Sequence, residues 1–441
     1  PSVSGQSFEF FDQLSPSLEI TTDPQPIDGL IYPQSNFMLL FSEIIQNSSE
    51  NIPNSSDIAA ITSLSYADGD QENIDFTGSI NAGNNIISIN PDFDMEEWRP
   101  VQINISSGMQ DTIGNISNGS SANYKTRDIT VPEIRTADID SLNNGLNISV
   151  SEGLFATENE AGGLDQSDFE VINFNQNNGN ASSVTITALT SFEGVPLIGG
   201  ESEIRINITV DSPPAGVETF TISPIAGRVF DRGGNALAPS ENSQSFTLFD
   251  LLSPSVAIDP TTDSLIYPSE TFIITFDEPV VKLDGTPISN DNLSFIINLQ
   301  YTSEGSENIN FNGSINSLKT VLNIVPITQL DQKRSINLSF SNVFMDQSGN
   351  LVNPLSANYI VRDVTAPTFD SSRYAIDNTQ IIIFMAEPVY GNSEATAGLD
   401  TSDFNLTFQD NGGEADSVYI ESVTNTSGTQ LVGGESSIQI N

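Results

Sequence analysis

The 441-residue sequence has no cysteine and no histidine. Without them there are no disulfides, no thiolate nucleophile, no common zinc or copper ligands, and no side chain with the usual general-base range near neutral pH. Basic residues are also scarce: 13 Lys and Arg stand against 58 Asp and Glu, a net charge of -45. Phosphate-binding clusters are missing, so nucleic acid and anionic membrane surfaces are poor partners, and divalent cations or basic surfaces are better ones. No apolar run approaches the roughly 18 residues of a spanning helix. Pro1 to Gly5 lack a basic, apolar secretory stretch, so any such signal is expected to have been removed. With one tryptophan, Trp98, there is little for an aromatic sugar-binding platform. No nucleophile elbow, phosphate loop or dinucleotide fingerprint occurs, and carboxylate pairs are too abundant to mark a glycosidase, so no enzyme activity is expected.

What the sequence does have is self-similarity. Residues 248 to 441 repeat residues 10 to 207 at an offset of about 235. Ile74-Asp75-Phe76-Thr77-Gly78-Ser79-Ile80-Asn81 returns as Ile309-Asn310-Phe311-Asn312-Gly313-Ser314-Ile315-Asn316, and Gly163-Leu164-Asp165 returns as Gly398-Leu399-Asp400. A finer repeat halves each unit. Asp followed four positions later by Pro occurs at Asp12, Asp128, Asp250 and Asp363, and each marks a junction where Pro stiffens the next extended segment. The predicted organisation is A-B-A-B: a closing strand at 1–11, then type A at 12–127, type B at 128–249, type A at 250–362 and an incomplete type B at 363–441.

Short segments alternate apolar and polar residues between Gly, Asn, Asp and Pro, as in Val101–Ser106, Ile204–Thr209, Phe272–Phe276, Val321–Val325 and Ile336–Phe340. They predict half-buried strands, and no segment sustains a helical period with caps. The expected fold class is all-β.

Two landmarks recur. Glu43, Glu152, Glu278 and Glu387 each follow a β-rich run, and Asp-x-x-Gly-Asn starts at Asp111, Asp231 and Asp346. Phe276-Asp277-Glu278-Pro279-Val280, Asp346-Gln347-Ser348-Gly349-Asn350 and the Asp-x-x-x-Pro junctions together resemble the bacterial Ig-like repeats of surface-layer proteins, large adhesins and cyanobacterial SwmB-type cell-surface proteins. The resemblance covers nearly the whole chain. It implies tandem antiparallel β-sandwiches of about seven strands each, on an extracellular or cell-surface protein. Two departures stand out: Ser42-Glu43-Ile44 and Ser151-Glu152-Gly153 lack the Pro, so a different turn is expected there.

Mapped onto such a sandwich, the acids converge at domain boundaries: Asp12 with Glu43 and Asp111, Asp128 with Glu152 and Asp231, and Asp250 with Glu278 and Asp346. Asp363 and Glu387 form the fourth, partial set. Hard carboxylate oxygens suit calcium, which would stiffen the junctions, and the same acids equally serve as turn residues. Asp68-Gly69-Asp70-Gln71-Glu72 reads as a solvated hairpin tip. Asn-x-Ser/Thr occurs at Asn47, Asn54, Asn104, Asn115, Asn118, Asn147, Asn180, Asn207, Asn292, Asn312, Asn337, Asn405 and Asn425, making covalent glycans an expectation. Strand alternation turns Asn104, Asn207 and Asn337 outward.

Judged by the second domain, the fourth lacks roughly its last 40 residues. Ser7-Phe8-Glu9-Phe10-Phe11 has the alternation of a closing strand and aligns with residues 245–249. Two readings stay open: this segment completes the fourth domain of a neighbouring copy, or about 31 further residues join one unit to the next. Either makes the protein a head-to-tail filament or surface fibre. An adhesin stalk, calcium-stiffened and carrying a carbohydrate or surface-ligand module elsewhere, is the alternative.

Overall fold

The computed structural model describes residues 11–69, 72–303 and 305–441. The chain forms two compact units, one ending at Leu252 and the other comprising Ser253–Asn441. Both are built of β-sandwiches. The expected strands appear at Pro100–Ile105, Glu201–Val210, Phe272–Phe276, Val321–Pro326 and Ser335–Phe340, with alternate residues buried.

In the first sandwich one sheet runs in the order Leu18–Asp23, Asn36–Phe41, Ile86–Pro91, Phe76–Ile80, and the other Leu30–Ile31, Ser120–Thr126, Pro100–Ile105, Thr62–Tyr66. Phe37, Leu39, Ile87 and Ile89 from one and Leu64, Val101 and Ile103 from the other make one core. The ladders are antiparallel apart from Leu30–Ile31, which pairs in parallel with Ser120–Thr126. Within this sandwich one short helix joins the strands: Ser55–Ile61, capped by Asn54 and Asp57 in a reciprocal capping box and burying Ile58. Its signal is the Asn-x-x-Asp spacing.

The second sandwich sets Val184–Thr190, Glu201–Val210, Gly145–Leu154 and Ile134–Ile139 against Phe169–Asn175, Thr219–Pro224 and Gln244–Thr247. Leu146 faces Ile206 and Ile148 faces Ile204 across the central pair, and Phe220 meets Phe246 at 5.4 Å between ring centroids. In the second unit, Val256–Asp259, Phe272–Phe276, Val321–Pro326 and Phe311–Ile315 form one sheet of the third sandwich. Leu265–Ile266, Leu355–Val361, Ser335–Phe340, Asn298–Tyr301 and Glu307–Asn308 form the other. Phe276, Phe340 and Phe344 pack as a cluster with centroids 5.0–6.4 Å apart.

The fourth set of strands is half of this arrangement. Phe369–Tyr374, Ile381–Val389, Glu435–Ile440 and Val423–Thr424 make one sheet, and among the described residues no second sheet covers it. Residues 404–410, the counterpart of Phe169–Asn175, carry no regular secondary structure. The reason lies in the second sandwich, where Phe169–Asn175 takes its ladder hydrogen bonds from Thr219–Pro224; nothing in residues 363–441 plays that part.

The expected difference at the Pro-less turns follows the domain type instead. Glu152-Gly153 sits inside Gly145–Leu154 at a register shift between Ser149 and Leu154, and Glu387-Pro388 sits inside Ile381–Val389 at a like shift between Phe384 and Val389. Ladder bonds are interrupted there, so the missing Pro N–H costs nothing. The alternating cores also set a scale for substitution. Phe220 is 1% exposed, and Phe220→Ala is expected to destabilise the first unit by about 3–5 kcal/mol, measured by denaturant unfolding.

Candidate functional site

The Asp-x-x-Gly-Asn segment is a self-locking turn. Asp111 Oδ1 accepts from the backbone N–H of Ile113, Gly114 and Asn115 at 2.6–2.8 Å, and Asn115 Nδ2 donates to Asp111 Oδ2 at 2.7 Å. Gly114 supplies φ of 101°, in the left-handed region where glycine carries no Cβ penalty. Asp231 with Asn235 and Asp346 with Asn350 repeat the turn. The Asn amide has a second task. Asn115 Nδ2 reaches the Asp12 carbonyl at 3.2 Å, and Asn235 Nδ2 reaches the carbonyls of Asp128 and Thr130 at 3.3 and 3.2 Å. These two turns are thereby tied to the chain where it enters their own sandwiches.

These ties collect carboxylates. Oxygens of Asp12, Glu43 and Asp111 lie within 4.8 Å of one another, and so do those of Asp128, Glu152 and Asp231. In the second unit Glu278 and Asp346 approach within the same distance, while Asp250 belongs to the first unit. The first two clusters differ electrostatically. Burial pushes Asp111 up, but the amides of Asn115, Ile113 and Gly114 outweigh it and hold the carboxyl below its ordinary range. Glu43 is raised by burial and by Asp111 and Asp12. Asp231 is fully buried, and there burial prevails over the same kind of bonds, raising it. Asp128, 8% exposed, is raised to about 7 by burial, by its hydrogen bond with Glu97, and by Asp231 and Glu152. Burial also raises Glu97, yet bonds from Asp128, Ile129 and Thr130 bring it below the ordinary value. Glu97 was not among the expected residues. It accepts from the N–H groups of Ile129 and Thr130 at 2.8 and 3.0 Å and so fixes the junction backbone.

Beside this second cluster is a cavity of about 220 Å³ lined by Trp98, Asp128, Glu152, Phe155 and Arg232, among others. Lys125 places its ammonium 3.3 Å from the Trp98 ring centroid. In the second copy the sequence puts Lys333 where the first has Trp98, at the same left-handed φ, 63° against 60°. Lys333 Nζ lies 2.7 Å from Asp363 Oδ2 and 2.9 Å from Glu387 Oε2. Asp363 is held below its usual range chiefly by that bond. Gln332, the counterpart of Glu97, keeps the backbone role by accepting from Val364 and Thr365. The partial fourth set of acids therefore has a tethered cation between its members.

Elsewhere the acids have other duties. At the solvated hairpin tip Asp68 and Glu72 both pair with Arg99, at 2.7 and 3.3 Å, which also holds Glu96 and stacks on Tyr66. Asp70 and Gln71 lie outside the described residues, as do residues 7–10 of the expected assembly strand. The outward Asn side chains on strands are tied into surface ladders. Asn104 donates to Gln102, Asn207 to Thr190, and Asn337 to Ser356, Ala357 and Asn358. Asn147 and Asn207 both accept from Arg205, and Asn115 is committed to its turn. Asn118, Asn312 and Asn405 are exposed and stand outside these networks.

No family model and no curated protein matches the chain. Among solved structures it is similar to the surface-layer protein SbsC, domains 1–6, at 10% identity over 84% of this chain and 57% of that one, with a TM-score of 0.20. It is similar also to titin domains A168–A170, at 11% identity over 79% and 99%, TM-score 0.22, and to the BSP domain of a biofilm associated protein, at 10% over 80% and 66%, TM-score 0.17. Likenesses of this size carry no argument about function.

The raised acid Asp128 has a signed consequence. A carboxyl at about 7 in the fold and near 3.8 when unfolded keeps its proton longer folded, so its stabilising contribution is complete below the unfolded value and is lost as the pH rises through 7. In calorimetry without divalent cations, Asp128→Asn is expected to gain on the parent chain in melting temperature as the pH goes from about 5 to about 8. A gap independent of pH counts against the assignment. Lys333→Met should lower the melting temperature of the second unit, because Asp363 and Glu387 then face each other without a cation, and added salt should shrink the loss.

Proposed function

We propose that the chain is a structural segment of an extracellular filament or cell-surface fibre, joined head to tail and carrying covalent glycans. The observation that supports this most is the succession of β-sandwiches with locked entry points: Asn115 and Asn235 each tie the recurrent turn to the chain where it enters its own sandwich. Such joints suit a load-bearing array of domains. The absence of His and Cys, and the use of the recurrent acids in turn bonds, favour this over catalysis. Electron microscopy of native material is expected to show fibres with an axial repeat of four domains; dispersed monomers would defeat the proposal. Glycopeptide mapping should find occupancy at Asn118 or Asn312 and none at Asn115, whose amide is committed inside the turn.

One observation favours a second element of the reading, that junctions are cation-stiffened, as in an adhesin stalk. Where the acids Asp363 and Glu387 meet, Lys333 supplies the positive charge; where Asp128, Glu152 and Asp231 meet, Trp98 stands at the corresponding position beside a cavity. Calcium, with its preference for several oxygen ligands, has the chemistry to serve there. Added calcium is expected to raise the melting temperature of the first unit, and Asp231→Asn to remove that increment. An unchanged melting temperature at millimolar calcium rejects it.

A further inference from the structure

Two acids recur at the passage from a type A to a type B sandwich: Asp128 and Glu152 in the first copy, Asp363 and Glu387 in the second. In the second copy they hold a primary ammonium, with Lys333 Nζ 2.7 Å from Asp363 and 2.9 Å from Glu387. The surrounding chain is closely matched. Ser121-Ala122-Asn123-Tyr124 returns as Ser356-Ala357-Asn358-Tyr359. The arginines that follow Trp98 and Lys333 stack on corresponding tyrosines, Arg99 on Tyr66 and Arg334 on Tyr301, both at 3.7 Å. The two acid pairs therefore occupy equivalent places.

Two side chains beside them differ together. Trp98 stands where the second copy has Lys333, and Lys125 on Ser120–Thr126 stands where it has Ile360 on Leu355–Val361. The first copy has kept a lysine here and turned it elsewhere: the Lys125 ammonium lies 3.3 Å from the Trp98 ring centroid, and the acid acting on it is Glu160. Arg232, its side chain 55% exposed, pairs with the same Glu160 at 3.7 Å and acts on Glu152 at longer range, as does Arg135. What adjoins Asp128 and Glu152 is the cavity of about 220 Å³, walled by Trp98 and Phe155. That volume lies below the roughly 300–1,000 Å³ of sites for drug-sized ligands and suits a group the size of one side chain.

Aromatic walls beside two carboxylates have the chemistry of an organic-cation site. The rings receive an alkyl stem while the carboxylates take the charge through short hydrogen bonds. Calcium gains nothing from an indole and would draw on Asp231, which does not line the cavity. We propose that Asp128 and Glu152 bind a primary alkylammonium ion, such as a lysine side chain presents, in the place that Lys333 fills in the second copy. This rests on the reading of a cation-stiffened junction and names the cation.

Trp98 is the only tryptophan, so its fluorescence reports on this cavity alone. Titrating n-butylammonium chloride into the full-length chain should change that emission saturably, beyond the effect of sodium chloride at equal ionic strength, which corrects for screening of the -45 charge. Glu152→Gln should weaken the binding about tenfold. A response no larger than that to sodium chloride, or one that Glu152→Gln leaves intact, overturns the proposal. Melting temperature gives a readout independent of the indole. Trp98→Lys, which copies the second arrangement, should abolish the gain of the first unit from butylammonium. Lys333→Ala should lower the melting temperature of the second unit and recover part of the loss with butylammonium, more than with sodium chloride; no such recovery counts against the proposal even where Trp98→Lys fails to fold. Calcium separates this inference from the reading beneath it. Stabilisation of the first unit by calcium but not by butylammonium rejects the ammonium alone, whereas stabilisation by neither rejects the cation-stiffened junction.

Discussion

A β-sheet with one apolar face is stable in water only when something covers that face, and the remaining features of this chain follow from how that requirement is met. Three times the cover is a second sheet from the same stretch of sequence, and the core forms from both. At residues 363–441 the first sheet is present and its core is small. The segment at 404–410 has the alternation of Phe169–Asn175 yet forms no strand, because the hydrogen bonds of a strand belong to its neighbour as much as to itself. Strand propensity is here a property of a pair.

The junctions show how little sequence is needed to fix where the chain enters a sandwich. An Asp folds its own turn around three backbone N–H groups, and an Asn four residues later uses one carboxamide both to lock that Asp and to hold the incoming chain. The consequence is electrostatic: a buried acid is placed next to the acids of the preceding junction. Whether this is tolerable depends on neighbours. Asp111 has enough donors to remain ionised, Asp128 and Asp231 are raised by burial, and the Asp363–Glu387 pair is neutralised by Lys333. A single exchange between the copies, Trp98 for Lys333, separates a junction with a cavity from one with its own cation.

Much of the fold was legible. Alternation located the central strands within a residue or two at most ends, and glycines with Asn or Asp located the turns. The helix Ser55–Ile61 was missed, although Asn54 and Asp57 have the spacing of a capping box, because seven residues are too few to show a helical period. The recurring acids could be found by comparing the copies, since turns need the same residue types each time. Glu97, Lys333 and Asn143 could not. Their partners are 32, 54 and 106 residues away, and nothing local distinguishes an Asn that caps a turn from one that clasps a distant strand. Alternation also turned Asn104, Asn207 and Asn337 outward without showing their partners: Gln102 on the same strand for Asn104, and residues of adjacent strands for Asn207 and Asn337.

The amino-acid sequence by itself determined an array of all-β units, the phase of its repeat, the alternating cores and the strongly acidic surface, because these depend on composition and on the two-residue period of a strand. Only the tertiary structure decided which carboxylates are buried together, which cation answers them, and which sheet is left open. Those depend on distances across a sandwich and between successive ones, where a hydrogen bond of 2.8 Å joins residues that the sequence holds a hundred positions apart.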